Sequence, residues 1–470
     1  MFPLVKFSAT IKKQLPQVVV LTDEKSLSAY VSDKETLRFL LSELKVNKGY
    51  AEAPWHKAGI MVVKASKNKE YTQLEELRRN AAKAGDKIMK AEYPSVQFVD
   101  CCGIEAIQEA AMEGLLLSLY RFGKYKSKST HQIKEVFANL SAVKLNKIVE
   151  ICRAVYLVRD LINEPVNVLN TAALTTAFAS MGKEAGFTVK TLSKKEIEKL
   201  GMAGLLTVNK GSVDDPAFTI MEYKPAKCRN KKPIVLVGKG VVYDTGGINL
   251  KSYEGMMSMN CDMSGAAAVA GVMYALAKTK MPLHVISLTP ITDNRPSGNS
   301  AVSGDIIKMM NGVTVEVMNT DAEGRLILAD ALVYADRYKP MLVIDIATLT
   351  GAASAAVGRN ATVVMGTAPD TTFSLLTRCG EEVFERTVRF PLWDDYNKMI
   401  ASKVADIKNV GDKHAGAITA GKFLEHFTTY PWIHLDIAGP AFLNEKDSYR
   451  GVGGTATGVR MIYRLLEELK

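Results

Sequence analysis

Cysteine is too scarce in this chain to organise it: six residues in 470, at positions 101, 102, 152, 228, 261 and 379, without metal-ligand spacing. Thiols this sparse, most in apolar surroundings, are expected of a reducing compartment rather than a disulfide scaffold. Histidine is equally rare. The six at 56, 131, 284, 414, 426 and 434 contain no His-Glu-x-x-His pair, which sets aside a single-zinc protease centre, and His434, inside an apolar run, reads as a buried structural residue. No run of 18 apolar residues occurs, and the start, Met1-Phe-Pro-Leu-Val-Lys-Phe, lacks an apolar core behind a basic end. Neither a membrane span nor export is therefore expected, and the expected location is cytoplasmic. Repeats and low-complexity tracts are missing too.

With 47% apolar residues, 470 positions are enough for a sizeable core and more than one ordinary domain. The formal charge of +10 is uneven: residues 1–165 carry 26 Lys and Arg against 19 Asp and Glu, and the remainder 34 against 31. The basic amino-terminal part keeps open a nucleic-acid partner, for which Lys124-Tyr-Lys126-Ser-Lys128 is the best local candidate. Most such runs are merely solvated loops.

The order of apolar runs predicts an α/β chain. Segments 17–21, 59–64 and 97–100 read as strands around helices such as 104–121, giving a small amino-terminal α/β domain over 1–150. A long helix over 133–163 ends before Pro165 and supplies the joining segment 151–164. From 165 to 470, strands near 187–192, 218–223, 233–238, 282–289, 313–318, 341–347, 361–366 and 432–437 alternate with helices. They predict a mixed sheet covered on both faces.

Chemistry concentrates in two places. Asn319-Thr320-Asp321-Ala322-Glu323-Gly324-Arg325 puts two carboxylates and a guanidinium between an alternating strand, Val313 to Met318, and a buried helix beginning near Leu326. Acids at a helix start also cap free amides and complement the helix dipole, so this segment alone does not decide. Upstream, the apolar run Pro233 to Val237 enters Gly238-Lys239-Gly240-Val-Val-Tyr-Asp244-Thr-Gly246-Gly247, followed by Lys251 and Asp262. Its glycine spacing fits neither a Walker A loop nor a dinucleotide fingerprint. Taken together, Asp244, Asp262, Asp321, Glu323, Lys239, Lys251 and Arg325 make an oxygen-rich set without His or Cys, suited to a pair of hard or borderline divalent cations. A lysine ligates a metal only when neutral, which burial and a neighbouring dication favour.

These stretches, with Asp262-Met-Ser-Gly-Ala-Ala-Ala between them, closely resemble the two-metal leucyl aminopeptidases, whose Asn-Thr-Asp-Ala-Glu-Gly-Arg signature stands here unchanged. The likeness extends through Arg159 to Leu169, Leu288 to Asn299, Asp345 to Ala352 and His434 to Gly439, covering residues ~155–470. Departures are small: Thr245, Ser264 and Asn249 stand where Ser, a small Gly or Ala, and Ser are usual. The resemblance implies that Lys239, Asp244, Asp262 and Glu323 hold one metal and Asp244, Asp321 and Glu323 the other, with manganese or zinc the expected ions and cobalt or magnesium also suited. A hydroxide bridging the metals would attack the peptide carbonyl, Lys251 would stabilise the oxyanion, and Arg325 with Leu349 would hold a bicarbonate that relays the proton. Met259, Thr348, Gly351, Ala438 and Ala441 are the expected side-chain pocket. It further implies release of leucine-like amino-terminal residues from short peptides by a homohexamer, with no membrane partner. Two decoys are set aside: Gly416-Ala-Ile-Thr-Ala-Gly-Lys422-Phe423 lacks the Ser or Thr and the preceding strand of a phosphate loop, and Gly451 to Gly458 shapes a turn before the last helix. The rival from another class is a nucleic-acid binder that keeps the peptidase fold.

Overall fold

The computed structural model describes residues 2–56, 58–66, 70–128 and 130–469. Contacts divide the chain into two compact units, one of residues 1–156 with 382–384 and 445–452, the other holding the rest.

In the first unit a six-stranded sheet runs in the order Leu4–Phe7, Glu135–Ala138, Ser95–Asp100, Gln17–Leu21, Ile60–Lys64, Tyr50–Ala53. Only the last pairing is antiparallel. Gln17–Leu21 is central and buried along its whole length, as an unbroken Val-rich run between parallel neighbours should be. Helices Tyr71–Lys90 and Glu105–Ser118 pack so closely that a Cβ on Gly114 would lie 2.2 Å from the Arg78 carbonyl oxygen. One sequence expectation is corrected here. The predicted helix over 133–163 is a strand, Glu135–Ala138, followed by a helix, Ala142–Asn163. Glu-Val-Phe-Ala is taken by two parallel partners at once, so sheet pairing overrides the helical reading of the surrounding segment.

The second unit is built on a nine-stranded sheet whose main path runs Thr387–Arg389, Thr362–Gly366, Trp432–Asp436, Leu342–Ala347, Ile234–Gly238, Val285–Asn294, Ala217–Tyr223, Thr188–Leu192. Gly240–Asp244 pairs with the far end of Val285–Asn294. The four strands from Trp432–Asp436 to Val285–Asn294 are mutually parallel, and antiparallel pairings lie outside them. Parallel neighbours deliver their carboxyl ends to one edge, where functional residues of open α/β sheets collect. That edge receives Lys239, Asp244, Asn294, Thr348 and Asp436. The helix Ser264–Lys278 opens on small residues, Ser264 to Gly271, and is buried from Ser264 to Ala277, which lets its first turns lie directly on the sheet. The strand preceding the signature is shorter than the sequence suggested, Thr314–Val317. It belongs to a separate three-stranded sheet with Asp305–Lys308 and Ile407–Lys408.

Behind the site the helix Gly324–Ala335 is buried on nearly every side and carries Asp330 inward. Its Oδ2 accepts from the Leu205 amide at 2.9 Å, and burial pushes the carboxyl up to about 8. A folded-state value above the unfolded one, near 4, means the folded protein keeps a proton that the unfolded chain has lost, so this group's contribution to stability falls as pH rises from about 4 to about 8. Asp330→Asn keeps an acceptor for Leu205 but removes the titration. Melting curves across that range should therefore be flatter for the variant; parallel curves would contradict the assignment.

Candidate metal centre

The upstream residues reach the sheet edge by different routes. Lys239 follows immediately on the buried strand Ile234–Gly238, and Asp244 ends the short strand Gly240–Asp244. The chain then turns at Gly246 and Gly247, where φ is +86° and +65°. A Cβ on Gly247 would also come within 2.9 Å of Asn294 Oδ1, so glycine suits both the conformation and the space. The turn brings Lys251 back over Asp244. Asp262 sits in the short 3-10 helix Met259–Met263, and Asp321 and Glu323 lie on the turn before Gly324–Ala335. Gly324 is required by close approach, since a Cβ there would press to 2.6 Å against Cε of Lys239.

Two lysines interleave with four carboxylates. Lys239 Nζ lies 2.8 Å from Asp262 Oδ1 and 2.9 Å from Glu323 Oε1, and donates to the Thr348 carbonyl at 2.9 Å. Lys251 Nζ lies 2.8 Å from Asp244 Oδ2 and pairs with Asp321 as well. Asp244, Asp262 and Glu323 are buried and offer oxygens that all fall within 4.8 Å of one another. Lys251 is 17% exposed and Asp321 33%, so the second pair is the one that solvent reaches.

The charge balance of this cluster is unfavourable to its acids. Burial raises the Asp262, Asp321 and Glu323 carboxyls above their ordinary range, and the neighbouring Asp244 carboxylate adds to the rise in each. Burial on its own would depress both lysines, but Asp262, Glu323 and Asp244 hold Lys239 above its usual value, and Asp244 and Glu323 do the same for Lys251. For the carboxyls burial leads and the repulsion of Asp244 adds to it, and for the lysines the carboxylates outweigh burial; each direction favours positive charge held among these acids. Asp262 Oδ2 is also buried without a hydrogen-bond partner among the described residues, an arrangement that costs about 1–3 kcal/mol when nothing else binds it. A set of four carboxylates with a buried oxygen unspent fits divalent cations, and the all-oxygen donors with one amine suit manganese, zinc, cobalt or magnesium.

Around this cluster lie residues that the motifs did not single out. Asn294 Nδ2 donates to Asp244 Oδ1 at 2.8 Å and to the Thr320 carbonyl at 3.0 Å, tying the two motifs together. Asn249, one of the departures from the usual pattern, accepts from the Thr320 amide at 2.8 Å and so holds the signature from the other side. Asp436 is buried and accepts from the amides of Leu349 at 3.1 Å and Ala438 at 3.1 Å, and from the Thr350 hydroxyl at 2.7 Å. Asn249 and Asn294 lie inside the resembling stretches. Asp436 lies inside one too, His434 to Gly439, but its contacts with Leu349, Thr350 and Ala438 are set by the sheet edge.

The remaining expected residues fall into place unevenly. Thr348 is beside the acids, its hydroxyl donating to Asp262 Oδ1 at 2.7 Å. Met259 is half-buried and opens the helical turn that carries Asp262, while Ala438 is half-buried beyond the strand end. Ala441 is buried and Gly351 exposed at the start of the helix Gly351–Val357. Arg325 is buried, donates from Nη1 to the Asn409 carbonyl at 2.6 Å, and has an Nε with no partner among the described residues; burial brings its pKa down to about 10. The amide of Leu349, expected beside it at an anion, is directed to Asp436. His434 is fully buried, with Nδ1 2.6 Å from Asp345 Oδ1 while the Trp432 indole donates to Oδ2, which is a structural arrangement. Lys422 of the phosphate-loop decoy is buried inside the helix Gly416–Glu425 and paired with Asp394 at 3.3 Å and with Glu425.

A model of the cytosol aminopeptidase family's catalytic domain matches residues 156–463. A probable cytosol aminopeptidase of Clostridium perfringens (strain 13 / Type A) is 39% identical over 424 residues, covering 86% of this chain and 85% of the relative. One of Chlorobium limicola is 42% identical over 418 residues, covering 83% and 82%. Among solved structures, the bottromycin maturation enzyme BotP in complex with Mn superposes with a TM-score of 0.86 at 28% identity, covering 96% of this chain and 99% of that one. The cytosol aminopeptidase of Coxiella burnetii gives 0.84 at 27%, covering 98% and 99%.

Proposed function

This chain belongs to the cytosol aminopeptidase family, whose members are metal-dependent hydrolases, and on that premise we propose a two-cation enzyme that releases leucine-like amino-terminal residues from short peptides. The observation that carries the two-cation reading is the convergence of Asp244, Asp262 and Glu323, joined by Asp321 through Lys251, with a buried, unspent Asp262 oxygen. Lys239, Asp244, Asp262 and Glu323 would hold one ion; Asp244, Asp321 and Glu323 would hold the other. Bound there, two divalent cations supply Lewis acidity, activating water near neutral pH and polarising the scissile carbonyl.

The protein's own groups supply the rest. The Lys251 ammonium, partly exposed at the open side of the cluster, is placed to meet negative charge developing on the carbonyl oxygen. Arg325, with its buried Nε unpartnered among the described residues, is the anchor we assign to the bicarbonate that the family likeness implies as proton relay. Manganese or zinc as the working ion, a homohexamer and a cytoplasmic location complete the proposal on the strength of the family likeness.

The test is a panel of amino-acid amides assayed with and without added manganese, cobalt or zinc. Leucyl and methionyl amides should be cleaved best, and no hydrolysis with any metal would end the aminopeptidase reading. Met259 gives the panel its sharpest arm. Its flexible apolar side chain suits Leu and Met, whereas an acidic side chain beside it loses water without gaining a cation. A missing apolar contact is worth only about 1–3 kcal/mol, so burial of charge must supply most of the discrimination against Asp and Glu. Met259→Lys should move kcat/KM toward glutamyl substrates relative to leucyl ones. An unchanged ratio would take Met259 out of the pocket.

The nucleic-acid reading has one observation in its favour: Lys124, Lys126, Lys134 and Arg153 line a cavity of about 1030 Å³ in the first unit, with no carboxylate among the lining residues. A mobility shift with duplex DNA that weakens steeply with salt separates that property from peptidase activity.

A further inference from the structure

We propose that Asn409 is a positioning residue for the signature turn, setting the placement of Asp321, Glu323 and Arg325 and thereby the affinity for a cation and the rate of turnover. The inference rests on the two-cation reading above. Asn409 follows the two-residue strand Ile407–Lys408, which runs parallel to Thr314–Val317, and is fully buried. Its Oδ1 accepts from the amides of Met318 at 2.8 Å and Asn319 at 3.3 Å. Its Nδ2 donates to the carbonyls of Asn319 at 2.7 Å and Ala322 at 3.3 Å. Its backbone amide donates to the Glu316 carbonyl at 3.0 Å, and its carbonyl receives Nη1 of Arg325 at 2.6 Å.

A side-chain amide has two donor hydrogens and an oxygen with two lone pairs. All four are used here, and together with the backbone groups they go to residues 316–325. One side chain thus clamps the turn before Asp321 at Asn319 and the turn before Glu323 at Ala322, while the same residue's carbonyl fixes the guanidinium of Arg325. The carboxylates are held by a scaffold more than eighty residues away in sequence. Groups that orient metal ligands in this way typically contribute a factor of about 10–100 in metal affinity or activity. No other side chain of similar size reproduces the pattern: Asp keeps the acceptor and loses both donors, and Ala loses all four contacts.

The full-length protein should be compared as wild type, Asn409→Ala, Asn409→Asp and, as a stability control, Tyr430→Phe. Tyr430 is buried in the same unit, and its hydroxyl donates to the Leu332 carbonyl at 2.6 Å, about two turns along the helix from the signature. Manganese binding by equilibrium dialysis, kcat and KM on a leucyl amide, and melting temperature are read for each. Both Asn409 variants should bind manganese about 10-fold or more weakly and lose about 10–100-fold in kcat, with KM changed less than about threefold. Tyr430→Phe should lose melting temperature without either effect. Wild-type manganese affinity and kcat in folded Asn409 variants would overturn the proposal, and so would losses matched by Tyr430→Phe at equal melting temperature. If Asn409→Ala does not fold, the near-isosteric Asn409→Asp decides; failure of both to fold makes Asn409 a folding requirement and also overturns the positioning role. Lack of manganese binding and hydrolysis by the wild type would instead remove the two-cation reading itself.

Discussion

Exhaustive chelation should reduce peptide hydrolysis to background, and manganese or cobalt should restore it. The expectation follows from the donor set: every proposed ligand but Lys239 is a carboxylate, and the lysines engage those carboxylates directly, Lys239 with Asp262 and Glu323 and Lys251 with Asp244 and Asp321. Without the cations nothing at the site would polarise the scissile carbonyl as a Lewis acid or lower the pKa of a bound water toward neutrality. A second readout is independent of turnover. A ligand that binds only the folded chain stabilises it by about 2.7 kcal/mol at a hundred times its dissociation constant, so the melting temperature should rise with manganese concentration. Asp262→Asn should weaken occupancy of the site that includes Lys239 more than that of its partner, since Asp262 is assigned to one ion only. Full turnover by protein verified as metal-free would sink the reading.

The second large effect separates two lysines that composition cannot tell apart. Lys239 touches Asp262 and Glu323 and is almost wholly buried, so Lys239→Ala removes a proposed ligand and should lower the number of manganese ions bound. Lys251 is more exposed and touches Asp244 and Asp321. Lys251→Ala takes a positive charge away from two carboxylates, so both cations should bind as well as before or better. Its kcat should nevertheless fall by roughly 10²–10³, the scale for losing one donor to a developing oxyanion, or about 2.7–4 kcal/mol. Metal analysis showing loss from the Lys251 variant and retention in the Lys239 variant would reverse the assignment.

The legibility of the site follows from how local its chemistry is. Asp321, Glu323 and Arg325 lie within five residues, and Lys239 with Asp244 within six, so strand-to-turn geometry alone keeps each group together. The strands of the second unit were equally readable: runs such as Ile234–Gly238 and Leu342–Ala347 are buried throughout, with Asp345 the one charged residue in either. Misreading came where pairing decides. Glu135–Ala138 looks continuous with the helix after it until Leu4–Phe7 and Ser95–Asp100 flank it. The strand before the signature carries a clear alternation, yet nothing in that alternation says that its partners are Asp305–Lys308 and Ile407–Lys408 rather than the main sheet.

By itself the sequence determined the α/β class, the family and the inventory of carboxylates, lysines and guanidinium, because each is written in short-range order and side-chain chemistry. Only the tertiary structure decided which lysine meets which acids, that Asp262 keeps a buried oxygen unspent, and that Asn294, Asp436 and Asn409 brace the strand ends and the signature turn. Those facts depend on hydrogen bonds between segments tens of residues apart. A lone asparagine or aspartate carries no periodicity or spacing that would announce them, and its role exists only once strand order and register have set it against its partners.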